Sequence, residues 1–474
     1  MERTFENFTE IDELFSKYFD QDRTPGLVYG ITEGPNLIHC KTLGHKSIGE
    51  ATPDSNTCFR VASLTKSFTA AAALMLRDQG ILSFEIPAKK YVPELAKLET
   101  SFADAPELTL HHLLSMSSGL PTDNEWADRL EDISDQQLQN ILVNNARFNF
   151  FPGTNYEYSN LGYAIVALAI KNVTGKKFID FVKQEIFRPL ELNATTFDYK
   201  DATNFALGYV KREKWELETL TGPGAFSAIG GVTTNIHDLT KWNYFLASAF
   251  DVDSPNVGPI SKSTRREMQQ VQQVITQIRE PNVELTYVGV NGYGYGLRIE
   301  EDLDYGKFVG HSGGYPGYGA HMRWHPSTGL GVIALANGRY ASPALACIPG
   351  LRYLISQKKL KPFKPTLKLL EIQNLVNKLI NNWDDGIADK VFGANMDQDH
   401  PRLFRMSQIE IAKSSVNYDA EKAKVLDTTS RNDSNINWKL SAVSGALDIT
   451  VYLNPDFPVS IQTLEVLPVG LLNT

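Results

Sequence analysis

Cysteine is scarce: Cys40, Cys58 and Cys347 are the only three in 474 residues. An odd, sparse set excludes a disulfide framework, and no CxxC pair offers zinc ligands. Positive charge is also short, with 46 Lys and Arg against 55 Asp and Glu and a formal net charge of −9. No Lys/Arg cluster is interleaved with aromatics, so neither a nucleic-acid partner nor a polybasic membrane contact is expected. Long apolar runs are missing too; Phe68–Leu76 is too short to span a bilayer. The opening Met-Glu-Arg-Thr-Phe-Glu-Asn lacks the basic, apolar, small-residue order of a signal peptide, which gives a cytoplasmic expectation. On that expectation the sequons at Asn7, Asn172 and Asn193 carry no meaning. Internal repeats and low-complexity tracts are absent.

What is present is the balance of a globular chain, 42% hydrophobic and 21% charged. Its length predicts two domains. Phe5, Phe8, Ile11, Phe15 and Phe19 recur at helical spacing and predict an N-terminal amphipathic helix. Gly26–Thr32 and Leu37–Leu43 read as strands joined by the turn at 33–36. An Ala-rich helix is predicted from Ser63 to Gln79, stopped by Gly80 in a left-handed cap. A mostly helical middle runs to about residue 250, and strand signals return from Tyr293 to Asn337 with a hairpin at 326–329. Strands at both ends with helices between predict one sheet built from N- and C-terminal segments and packed against a helical region, in a unit spanning 1–357. Lys358–Pro365 reads as a linker. Residues 358–474 then form a smaller α+β domain, with a helix at Leu369–Trp383 and strands at Trp438–Val443, Ala446–Leu453 and Ser460–Val466.

Ser63-Leu64-Thr65-Lys66 carries the chemistry. A nucleophilic serine needs a proton acceptor and an oxyanion stabiliser. Residues three apart share a helix face, so the Lys66 amine can reach the Ser63 hydroxyl, at the positive end of the helix dipole. The spacing alone is weak evidence, because Ser356–Lys359 repeats it beside the linker by accident. Its frame is stronger. Phe59-Arg60-Val61-Ala62-Ser63-Leu64-Thr65-Lys66 resembles the nucleophile motif of class C β-lactamases and their relatives, the DD-peptidases, D-aminopeptidases and related esterases.

The resemblance runs from Phe8 to Ile355 and implies an α/β (α+β) fold for residues 1–357: an antiparallel sheet flanked by helices, plus an all-helical lobe. It includes Leu113–Pro121, Pro152-Gly153 leading to Tyr158-Ser159-Asn160, Gly230-Gly231-Val232 with Asp238, Leu239 and Trp242, and His311-Ser312-Gly313. It implies Tyr158 as the second motif's phenol, Asn160 as its carboxamide, and His311 and Gly313 in the third motif. The backbone N–H groups of Ser63 and Gly314 are then the implied oxyanion hole. Tyr452–Asn454 also fits Y-x-N but lies in the appended domain. Free lysine and tyrosine both titrate near ~10, so whichever is the base must shift by about three units. Burial lowers a lysine and raises a tyrosine, and the sequence leaves Lys66 and Tyr158 both open.

The family commonly has lysine where His311 stands. A mostly neutral imidazole favours an ester, amide or (D-)peptide substrate without an essential carboxylate over a true β-lactam or DD-carboxypeptidase substrate. The expected cycle is acylation of Ser63, then attack by water, with no metal or organic cofactor. Homo-oligomer contacts through the C-terminal domain are one role for it; restricting access to the cleft is another.

Gly310-His311-Ser312-Gly313-Gly314 matches a G-x-S-x-G elbow, which requires a following helix that the Pro/Gly-rich 315–319 cannot start. His321 and His325 have zinc-pair spacing only on a helix; in a strand they stand ~13 Å apart. His111 and His112 read as a helix start, one ring packed and one solvated. Cys58 reads as a small buried residue. Tyr315, Tyr318, Trp126 and Tyr156 are divided between cleft wall and core. A non-catalytic binding relative is disfavoured because Ser63, Lys66, Tyr158 and Asn160 are all retained.

Overall fold

The computed structural model describes residues 7–98, 104–144, 147–275, 289–358 and 365–470. Helix α1 (Thr9–Phe19) buries Ile11, Phe15 and Tyr18, and Phe15 stacks on Tyr29 with ring centroids 3.9 Å apart. The apolar stripe thus turns through Tyr18; Phe19 is only half-buried and Phe5 lies outside the described residues. Strands β1 (Gly26–Glu33) and β2 (Asn36–Gly44) form the expected hairpin. Helices α2 (Thr65–Asp78), α3 (Asn160–Thr174) and α4 (Ile236–Ala247) belong to the long middle. Gly80 closes α2 at φ +73°, a conformation that carries no Cβ penalty there.

The second half adds β3 (Gln273–Val274), β4 (Gly289–Tyr293), β5 (Arg298–Asp302), β6 (Gly306–Tyr315), β7 (Tyr318–His325) and β8 (Leu330–Ala336). They join the first hairpin in one eight-stranded sheet, ordered β2-β1-β8-β7-β6-β5-β4-β3, with every pairing antiparallel. Helices α1 and α5 (Ala344–Gln357) pack together, with α5 on β7 and β8, while α4 packs on β1, β7 and β8. Every residue of β7 and β8 is consequently buried, which explains the near-continuous apolar sequence of β8, while β7 also buries the polar His321, Arg323 and His325. On the lobe side, α2 and α3 meet along faces where Ala70–Ala73 and Ala164–Ile170 are fully buried. The fold is thus an antiparallel sheet flanked by helices with an attached helical lobe.

One register detail creates the site. β6 pairs with β5 only from Gly306 to Gly310, whereas β7 follows it to Tyr315. From His311 onward, one edge of β6 therefore carries no strand among the described residues.

The chain divides into two compact units after Lys358. The linker stretch falls mostly outside the described residues. The second unit has its own core, with Leu369, Ile372, Val376, Trp438, Ile449 and Val451 buried. It contains α6 (Leu367–Asn381), α7 (Arg402–Ser415) and a four-stranded antiparallel meander, β9 (Val425–Asn432), β10 (Asn435–Ala442), β11 (Gly445–Leu453) and β12 (Ile461–Gly470). Pattern reading missed β9 because only Ser430 of its eight residues is buried, so no alternation marks it. It also missed α7, where only Ile409 and Ala412 are buried. No helix among the described residues is long and apolar enough to cross a membrane.

Candidate active site

Ser63 sits on a single 3-10 turn, Ala62–Leu64, that runs into α2. Several anchors hold that turn. Phe59–Arg60 pairs with Thr233–Thr234, and Val61 N–H donates to Val232 O at 2.9 Å. The Val232 N–H donates to Thr65 Oγ1 at 3.1 Å, so the Gly230-Gly231-Val232 motif braces the start of α2. Ala62 is held at φ +51°, the left-handed region that a side chain normally avoids. Gly313 explains why the turn fits: a Cβ there would meet Val61 O at 2.4 Å and Ala62 Cβ at 3.0 Å. Below, Arg60 and Glu131 form a fully buried ion pair that also receives the Tyr315 hydroxyl at 2.8 Å. Deeper in α2, Trp242 stacks on Phe68 and donates to Ser67 Oγ at 2.9 Å.

Lys66 is fully buried, and its ammonium donates to Ser63 Oγ at 3.0 Å and to Ile229 O at 2.9 Å. Burial pushes its pKa down to about 7, against the opposing pull of Asp128 and then Asp123. Tyr158 hydrogen-bonds Ser63, and its ring centroid lies 5.0 Å from Lys66 Nζ. Burial raises its phenol well above the ordinary value, although the bond from Ser63 works the other way. The loop carrying Tyr158 is pinned by the Leu113–Pro121 segment: Glu157 N–H donates to Met116 O at 2.9 Å, and Gly153 N–H to Ser117 O at 2.7 Å.

Asn160 departs from expectation. It is buried, does not line the cavity, and its Nδ2 donates to Asp123 Oδ1 at 3.1 Å and Asn124 Oδ1 at 3.0 Å. Asp123 also accepts the first two N–H groups of α3, from Asn160 at 2.7 Å and Leu161 at 2.8 Å. The carboxamide therefore fixes the helix start beside Tyr158.

His311 is buried and points to the same interior. Nδ1 contacts Ser312 O at 2.6 Å and Nε2 contacts the Tyr293 hydroxyl at 3.0 Å. A carbonyl can only accept, so Nδ1 carries the proton and Nε2 accepts from the phenol. Burial, then the neighbouring Lys66 and Arg298, hold the imidazole well below its ordinary pKa. It is neutral.

Ser63, Tyr158, His311 and Gly314 line one cavity of about 750 Å³ that opens at the free edge of β6. Ser63 is half-buried there rather than sealed. Gly314 is not at positive φ; a Cβ would lie 3.0 Å from Tyr340 Cδ1, so its smallness preserves the cleft beside that ring. Gly313 is packed beneath the nucleophile and does not line the cavity.

Residues the sequence did not single out complete the walls. Asp128 lines the cavity, accepts from the Tyr340 hydroxyl at 3.0 Å, and is raised to about 7 by burial, against the pull of Lys66. Arg298 is exposed on β5, opposite Gly310, and approaches the Tyr156 hydroxyl at 3.5 Å. Neither has a local sequence signal, since loop packing and strand register bring them in. Of the four aromatics considered, Tyr156 lines the cavity. Tyr315 and Tyr318 are core, their hydroxyls spent on Glu131 and Ala206 O, and Trp126 is exposed outside it.

The rivals find other uses. β6 turns directly into β7, so no helix follows 310–314. His321 Nδ1 contacts Ser312 Oγ at 2.9 Å, while His325 contacts Thr328 Oγ1 and Tyr305 O. His111 and His112 are both half-buried, one on the Tyr295 hydroxyl and one in a capping box with Thr109. Cys58 is buried and its thiol is pushed up to about 11. Among the described residues no group of three His, Cys, Asp or Glu side chains is placed to hold a metal.

A serine backed by a buried lysine on its own helix, with a phenol across from it and the free edge of an antiparallel strand alongside, is the architecture of the serine hydrolases that carry Ser-x-x-Lys. The chain belongs to the β-lactamase family, whose profile matches residues 11–350. It is 27% identical over 330 residues to penicillin-binding protein 4* of Bacillus subtilis, covering 66% of this chain and 68% of that one. It is 26% identical over 345 residues to unguisins hydrolase ungD′ of Aspergillus campestris, and 25% over 340 to protein flp of Staphylococcus aureus. The chain spans only 61% and 62% of those two relatives. Two solved structures share the fold. An octameric penicillin-binding protein homologue from Pyrococcus abyssi superposes with TM-score 0.61 at 20% identity, covering 97% of this chain and 98% of that one. A D-stereospecific amidohydrolase from Streptomyces gives 0.57 at 22%, covering 72% and 97%.

Proposed function

We propose that this protein hydrolyses an ester, amide or short (D-)peptide through an acyl-enzyme on Ser63, within the unit that ends near residue 357. One observation carries the reading: the Ser63 hydroxyl lies 3.0 Å from a fully buried lysine whose pKa is pushed to about 7, at an open cavity. Neutral Lys66 takes the Ser63 proton as Oγ attacks the carbonyl carbon. The backbone N–H groups of Ser63 and Gly314 stabilise the oxyanion. Tyr158, kept as a neutral phenol, relays that proton: it donates to the leaving group while taking the proton back from Lys66, which leaves Lys66 neutral. Water then attacks the acyl-enzyme with Lys66 again the acceptor, and this proton passes to Ser63 Oγ as the acyl bond breaks. The choice of base follows from one medium acting oppositely on two groups, freeing a lysine of its proton and denying tyrosine its charge.

A second reading concerns substrate charge. His311 supplies no cation, yet the guanidinium-bearing Arg298, exposed on β5, lines the same cavity. That favours a substrate with a carboxylate, as in a β-lactam or the free end of a peptide. The appended unit is proposed to mediate self-association, which the octameric state of the Pyrococcus abyssi homologue supports.

A fluorophosphonate probe should label the wild type and not Ser63→Ala. Equal labelling of both would remove the nucleophile, and no labelling of either would favour a non-catalytic binding protein. A panel of p-nitrophenyl esters, D- and L-aminoacyl amides and nitrocefin then identifies the substrate. Arg298→Met should raise KM for carboxylate-bearing members and leave neutral esters unchanged. Size-exclusion measurement with and without residues 358–474 tests self-association.

A further inference from the structure

One wall of the catalytic cavity is acidic, with Glu125 and Asp128 both lining it from the segment that follows Pro121. Asp128 is only 5% exposed. Its Oδ2 accepts from the Tyr340 hydroxyl at 3.0 Å. Its Oδ1 accepts nothing among the described residues and, unlike the sealed Oε1 of Glu131, keeps accessible surface. Asp128 forms no ion pair among the described residues either. Lys66 acts on it most strongly of the charged groups, yet that ammonium is directed to Ser63 and Ile229. The charges that follow, on Asp123 and Glu125, have Asp128's own sign. Carboxylates buried this deeply are normally paired, so an open oxygen on a cavity wall marks a place for a cation.

The neighbouring carboxylates have other duties. Asp123 is spent on the N–H groups of Asn160 and Leu161, and Glu157 Oε1 on the N–H and hydroxyl of Thr122. Glu125 is exposed and adds negative potential to the same wall. Asp128 also stands close to the reacting centre. It and Lys66 feel each other's charge, and the Tyr340 ring that holds Oδ2 borders Gly314, one of the two proposed oxyanion donors. Little more than one aromatic ring therefore separates Asp128 from the attacked carbonyl. In an aminoacyl substrate the ammonium nitrogen lies ~2.5 Å from that carbonyl carbon, whereas a side-chain amine lies several bonds further out.

We propose that Asp128 binds the free α-ammonium group of the substrate's acyl half, so that the enzyme acts on aminoacyl amides or esters rather than on N-acylated ones. This rests on the acyl-enzyme reading of the cavity and narrows it. The ammonium donates to Oδ1 while the Tyr340 hydroxyl holds Oδ2 in place. The same cation opposes protonation of Lys66, so recognition and a neutral base are favoured together. An N-acetyl group would put a neutral amide beside the carboxylate and leave Asp128 without its partner.

The test uses the full chain bearing Ser63→Ala, so that no ligand is consumed, at pH 7, where an α-amino group titrating near ~8 is mostly charged. Binding of D- and L-phenylalaninamide is followed by calorimetry or ligand-observed NMR beside 3-phenylpropanamide, which lacks the amine, and N-acetylphenylalaninamide, which caps it. At least one hand of phenylalaninamide should bind saturably at millimolar concentration or below, about tenfold or more tighter than either control. Adding Asp128→Asn should shrink that preference to about twofold or less, and Asp128→Glu should keep part of it. The ligand series alone decides if the variants do not fold. Fluorophosphonate labelling of Ser63 in the wild type reports separately on the nucleophile. A labelled serine without amine preference overturns this proposal and spares the acyl-enzyme; amine preference with an unlabelled serine does the reverse. Absence of saturable binding, equal binding of 3-phenylpropanamide, or a preference undiminished by Asp128→Asn would each overturn the assignment.

Discussion

The sharpest consequence of the site concerns the pH dependence of acylation. At its ordinary 10.5, Lys66 would be neutral in only about three molecules per ten thousand at pH 7; lowered to about 7, it is neutral in about half. Burial thus raises the fraction of competent base by about three orders of magnitude, at a cost of roughly 5 kcal/mol to the cation. The rate of Ser63 labelling or of p-nitrophenyl ester acylation in single turnover should therefore rise with pH, with a midpoint near 7. Below pH 6 it should fall about tenfold per unit. Asp128 sharpens the test. Its negative charge holds the Lys66 pKa up, and it titrates in the same range, so wild type has apparent values that belong to the pair. Asp128→Asn should leave a single acid limb displaced to lower pH, while Tyr158→Phe should slow acylation yet keep a limb. A flat profile between pH 5 and 9, a limb only above pH 9, or an Asp128→Asn limb displaced upward would refute the assignment of Lys66.

Three further outcomes are expected. Because the folded-state pKa of Lys66 lies below its unfolded value, the folded state binds fewer protons between about 7 and 10.5; the penalty is full below that window and fades as pH rises through it. Lys66→Met should accordingly abolish activity and raise stability at pH 7 by about 1–3 kcal/mol in chemical denaturation, after its bonds to Ser63 and Ile229 are lost. Arg60→Met should cost about 3–5 kcal/mol by leaving Glu131 buried and unpaired, and Arg60→Met with Glu131→Leu should recover part of it. Gly313→Ala should depress both stability and acylation, because its Cβ would strike the Val61 carbonyl at 2.4 Å. Gly314→Ala meets only the movable Tyr340 ring and should be milder in denaturation and labelling assays.

Local spacing in the chain was enough to set one helical turn between Ser63 and Lys66, to end α2 at Gly80, and to place the hairpins of an antiparallel sheet. Those features depend on neighbours in sequence, where dihedral preference and apolar period act directly. The motif residues Tyr158 and His311 were legible only through resemblance. Folding alone decided what each group became: Lys66 a base freed of its proton near neutral pH beneath Ile229, Asn160 a brace for α3, His311 a neutral acceptor for Tyr293, and Asp128 and Arg298 members of the cleft. Charge state depends on the surrounding dielectric and on partners far along the chain, and neither quantity exists until distant segments pack.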